Sequence, residues 1–142
     1  MDWWVRYYPP DVFPSILSRM NGFAGNGTLL ATGVVLHELA KKDDDLHAWA
    51  KTQAGLFVPV DGPIQHLVDT IVNSHAGFVD PQSTRNVADP FVIALAEQTG
   101  CPVVTGERPG RIRAPKIPDV CRARQIPCMT LVEMFRQLGV QV

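Results

Sequence analysis

Two neighbouring stretches leave no polar face. Residues 90–96 read PFVIALA and residues 101–105 read CPVVT. The first, continued to Gln98, has the length and flanks of a helix, and the second those of a strand. A strand that is apolar without alternation is covered on both faces, which is the habit of parallel sheets. The rest of the chain repeats this alternation. Helices are expected over Asp11–Met20, Gly33–Lys42, Pro63–Ser74, Pro118–Arg124 and Leu131–Leu138, with a further helix start at Asp43-Asp44-Asp45. There, carboxylates complement the positive N-terminal end, and Leu46, Trp49 and Ala50 face inward. Strands are expected at Leu29–Ala31, Leu56–Val60 and Cys128-Met129. Residues 21–28, NGFAGNGT, are turn chemistry, 77–88 a loop, and 106–116 a basic loop. The expected class is α/β with a central parallel sheet.

The chain has 142 residues, 46% hydrophobic and 19% charged, which fits one globular domain spanning 1–142. No apolar run approaches the length of a membrane span, and MDWWVRYYPP lacks the basic-then-apolar pattern of a signal peptide, so a cytoplasmic protein is expected. Cys101, Cys121 and Cys128 are odd in number and contain no CxxC. They read as buried thiols, not as a disulfide frame or structural zinc site.

Charge is unevenly placed. Residues 107–124 carry Arg108, Arg111, Arg113, Lys116, Arg122 and Arg124 against Glu107 and Asp119, a local +4 in a chain of net −1. Such a segment suits a polyanion, or is a solvated loop.

Three carboxylates stand where a parallel sheet places ligands, at the carboxyl ends of its strands. Asp89 precedes Pro90 at the mouth of the apolar helix. It either caps that helix or faces the cleft there. Glu107 follows the strand CPVVT and Gly106, and either lines the cleft or pairs with Arg108 or Arg111. Glu38 lies on the helix after the first strand, facing the cleft or pairing with Lys41 or Lys42. His37-Glu38 is no zinc-protease motif, because Lys41 stands where the second histidine would be. Three converging carboxylates are tolerable around a divalent cation, and oxygen ligands favour Mg²⁺ or Mn²⁺. Phosphate-loop and dinucleotide glycine motifs are absent from the sequence, and no base is placed beside a serine or cysteine nucleophile.

RYYPPDVFPS near the start, then VVLHELAKKDDDLHAWA, ADPFVIALA, VVTGERP and KIPDVC, in that order, resemble a branch of the PIN-domain superfamily known only as a domain of unknown function. The resemblance implies a PIN-like three-layer fold with a central parallel sheet. It further implies an Mg²⁺- or Mn²⁺-dependent endoribonuclease, such as the toxin of a toxin–antitoxin pair, with RNA as substrate and an antitoxin as partner. Glu38, Asp89 and Glu107 match the catalytic and metal-binding acidic positions. Asp119 is either a further metal-site residue or a helix cap, and Arg108, Arg111, Arg113 and Lys116 would hold nucleic acid. Relatives open with an apolar strand ending in a first metal-binding aspartate. Nothing apolar precedes RYYPP, and Asp2 matches a later position, so a PIN-like domain truncated at its front is expected. The alternative is a binding or oligomerising module without nuclease activity. Trp3, Trp4, Tyr7 and Tyr8 would cover a core or a homo-oligomer interface, or stack on bases.

Overall fold

The computed structural model describes residues 3–42 and 44–141. Asp2 and Asp43, both singled out above, lie outside the described residues. In chain order a π-helical turn, Trp3–Tyr7, leads to α1 (Pro14–Gly25), β1 (Ala31–Thr32), α2 (Gly33–Ala40), α3 (Asp45–Lys51), β2 (Phe57–Val58), α4 (Gly62–Ser74) and α5 (Asp89–Thr99). Then follow β3 (Val103–Val104), α6 (Ile117–Ala123), β4 (Cys128–Met129) and α7 (Leu131–Gln137). Helices alternate with short parallel strand pairs, which is compatible with the expected α/β class. The chain forms two compact units, Met1–Pro59 with Leu131–Val142, and Val60–Thr130.

In the first unit β1 and β2 pair in parallel, with Ala31 opposite Phe57 and Thr32 opposite Val58. Helix α1 runs on through Gly25, across the stretch expected to be a turn. Ile16, Met20 and Ala24 form one buried stripe along it, and burying that stripe outweighs the weak helix preference of Gly22 and Gly25. The turn is confined to the residues after it, where the Asn26 side chain accepts the N–H of Thr28. Asp44 caps α3 by accepting the N–H of His47 at 3.1 Å. Leu46 and Ala50 of α3 are buried, and Trp49 is half-buried, its indole N–H donating to Asn21 at 2.7 Å. Of the aromatic cluster, Trp4 and Tyr8 are half-buried against other rings, while Tyr7 is exposed. Trp4 packs on Trp49 with ring centroids 5.6 Å apart, and Tyr8 meets Phe13 edge-on and Phe135 at a tilt. Thr32, at the end of β1, is fully buried, and its hydroxyl has no partner among the described residues.

In the second unit α4 and α5 pack together. Asp61 caps α4 through the N–H of Ile64 at 2.8 Å, and its carboxylate also takes the Gln98 amide near the end of α5. Ile64, Val68 and Ile71 of α4 are buried at helical spacing, as are four consecutive residues of α5, Ile93–Ala96. Four in a row are buried only when a helix is covered on most of its circumference, which is what the all-apolar sequence demands. Gly100 ends α5 in the left-handed conformation, φ 69°, the usual glycine stop. β3 pairs in parallel with β4, Val103 opposite Cys128 and Val104 opposite Met129. Of the three cysteines only Cys121 is buried, whereas Cys101 and Cys128 are exposed. The expectation of three buried thiols is corrected: Cys101 directly follows the Gly100 helix stop, and Cys128 lies on β4, an edge strand of the two-stranded β3–β4 pair.

Candidate functional site

The second unit holds the chemistry-bearing loops. Asp89 is the first residue of α5, and Ala88, not Asp89, occupies the cap position. The half-buried Asp89 side chain lines a cavity of about 200 Å³. Around it stand Asp80, Ser83, Arg85 and Asn86 from the loop before α5, and Lys116 from the loop before α6. Two carboxylates face two cations there, so the cavity is close to neutral but strongly polar. Sequence reasoning treated 77–88 as plain loop and so missed Asp80, Arg85 and Asn86. The signal it left was position: these residues run directly into Asp89. Asn86 holds a left-handed conformation, φ 59°, which asparagine tolerates better than most residues.

The other two carboxylates of this unit that the sequence singled out, Glu107 and Asp119, accept from backbone donors. Glu107 Oε2 accepts the N–H of Ile117 at 3.1 Å. That bond closes the chain between residues 107 and 117. Asp119 Oδ2 accepts the N–H of Gly110 at 2.7 Å and of Lys116 at 2.8 Å. The second of these bonds is the backward reach of a residue at the third helical position to the cap residue, the helix-cap role that the sequence left open for Asp119. Both backbone bonds stabilise the ionised carboxylate, and Asp119 titrates below the ordinary carboxylate value, with Arg122 assisting.

These bonds fix the basic loop from both ends. Arg111 and Ala114 form a bridge across it. Gly110 sits so close to the Ala114 carbonyl and the Lys116 side chain that a Cβ would collide with them, and Gly77 lies equally close to the Arg113 carbonyl. The loop thus rests against the loop that carries the cavity. Arg108, Arg111, Arg113 and Lys116 are all exposed on it, and Ile112 between two arginines is 99% exposed. At the far end of α5, Glu97 takes Arg124 in a two-pronged pair, 2.7 and 3.0 Å. Arg124 also faces His75, whose pKa is lowered first by burial and then by that cation.

Glu38 belongs to the first unit, on α2, and is half-buried. The structure thus sets Asp89 and Lys116 on one cavity and gives Glu107 and Asp119 to the adjoining loop. Within each unit, no three His, Cys, Asp or Glu side chains among the described residues are gathered so as to hold a metal ion.

A family model described as Domain of unknown function (DUF4411) matches residues 1–142. Neither a curated protein nor a solved structure matches the chain.

Proposed function

We propose that this chain, which belongs to the DUF4411 family from end to end, is an RNA-acting protein of PIN-like type: an endoribonuclease that holds single-stranded RNA on the basic loop of its second unit. One observation carries the reading. Glu107 and Asp119 clamp residues 107–117 by their backbone, leaving Arg108, Arg111, Arg113 and Lys116 exposed on a preformed surface. Arginine forks match phosphate geometry, and a surface ordered in advance loses little entropy when a strand binds. Asp89 would then face the strand from the adjoining cavity, with Arg85 beside it.

The three-layer PIN-like arrangement belongs to the same proposal, supported by the order of motifs and the parallel pairing of both strand pairs. So do a cytoplasmic setting, an antitoxin-type partner and self-association, which rest on the resemblance and on the aromatic cluster near the start. No described helix is long and apolar enough to cross a membrane. Mg²⁺ or Mn²⁺ would supply an activated water and neutralise developing charge. Among the described residues within each unit no three carboxylates gather around one point, and Glu107 and Asp119 each serve backbone N–H groups. Their assigned work is shaping the loop.

That same observation favours the second reading, a binding module without nuclease activity. Incubating labelled single-stranded RNA with the protein in Mn²⁺, beside EDTA and Asp89→Asn controls, separates the two. Cleavage abolished by both controls supports the nuclease. RNA bound but left intact supports the module. Cleavage undiminished in Asp89→Asn removes Asp89 from the site.

A further inference from the structure

Cys121 and Cys128 come from different elements and meet. After α6, residues 122–127 turn back so that the N–H of Ile126 donates to the Cys121 carbonyl at 2.8 Å, and β4 passes beside α6. The two thiols are within hydrogen-bond reach of each other. One is fully buried and the other exposed at the surface. The RNA-acting reading uses neither.

We propose that Cys121 and Cys128 form an oxidisable dithiol, converted by peroxide to an intramolecular disulfide. The exposed Cys128 reacts first: its sulfur bonds one peroxide oxygen, the O–O bond breaks, and water leaves, giving the sulfenic acid. The Cys121 sulfur then attacks the Cys128 sulfur. The S–O bond breaks, and the departing hydroxide takes the Cys121 proton as a second water. Two thiols and one peroxide give one disulfide and two waters. Burial, then the neighbouring Cys128, pushes the Cys121 thiol up to about 12. It therefore stays protonated at neutral pH and does not meet the oxidant first; its attack on the neighbouring sulfenic acid proceeds as its proton passes to the departing hydroxide, and proximity, not thiolate character, carries that step. The product would tie α6, whose first turn carries the loop-holding Asp119, to β4.

The test treats the intact protein with hydrogen peroxide, blocks remaining thiols, and digests with trypsin without reductant. Trypsin cuts between the two cysteines, so the disulfide appears as IPDVCR joined to QIPCMTLVEMFR. The expected result is that joined pair in the wild type and in Cys101→Ser, a loss of two of the three titratable thiols, and reversal by dithiothreitol. Cys128→Ser should retain the Cys121 thiol unmodified. Sulfinic acid on Cys128 with no joined peptide, or joining only through Cys101, would overturn the proposal.

Discussion

The Asp119 carboxylate accepts the backbone N–H of Gly110, nine residues before it, at 2.7 Å. With the bond to Lys116 on the same oxygen, this closes the basic loop against the first turn of α6. Asp119→Asn keeps the shape but loses the charge that strengthens both bonds. Trypsin should then cut at Arg111 and Arg113 several-fold faster than in the wild type, while sites elsewhere are unaffected; Arg108 precedes Pro109 and is no trypsin site. Equal cutting rates would show that the loop does not depend on Asp119.

The pH dependence of the loop follows from the same bonds. Asp119 has a lowered pKa when folded. Its contribution is therefore fully present above the unfolded carboxylate value of 3.8 and is lost as pH falls through the lower folded value. The Gly110 amide resonance should move only in strongly acid solution, below the range in which ordinary carboxylates titrate. Movement centred nearer pH 5 would contradict the assignment.

Glycines of the two kinds should respond oppositely. Gly77 has φ 82° and no room for a Cβ beside the Arg113 carbonyl, so Gly77→Ala should lower stability by about 1–3 kcal/mol. Gly22 is inside α1 with nothing within 4 Å, and Gly22→Ala should raise stability by about 0.5–1 kcal/mol. Urea unfolding of both variants checks the pair of signs.

Thr32 offers a third stability test. Its hydroxyl is buried and without a partner among the described residues, a costly arrangement that an isosteric methyl removes. Thr32→Val should be stabilising by about 1–2 kcal/mol in the same urea experiment. A loss of stability would mean that the hydroxyl is engaged.

How much of this was legible beforehand depended on whether a residue's task was local. Helices α4 and α5 follow from their apolar residues, and Asp44, in the acidic run read as a helix start, caps α3. The extension of α1 over Asn21–Gly25 was hidden, because the turn chemistry of that stretch is overridden by burial of Ala24, a tertiary effect. Asp89 announced itself as a cap residue but sits one place inside the helix, on a cavity whose other walls come from 77–88 and 114–116. Glu107 and Asp119 were recognisable as important carboxylates, and the local bond of Asp119 to Lys116 is the cap role its place at a helix start offers, while the donors Ile117 and Gly110 are backbone groups ten and nine residues away that no side-chain pattern encodes. The contact of Cys121 with Cys128 depends likewise on how the chain turns after α6.

The most direct measurement is the fluorescence anisotropy of a labelled single-stranded RNA titrated with the wild type and with the Arg111→Ala/Arg113→Ala double variant across a range of salt. If the clamped loop holds the backbone, the wild type binds with marked salt sensitivity. The double variant then binds more weakly, and its slope of log affinity against log salt is shallower by roughly 1.4, about 0.7 for each lost phosphate contact. An unchanged slope and affinity in the variant, or no binding by the wild type at low salt, would contradict the assignment of this loop to RNA.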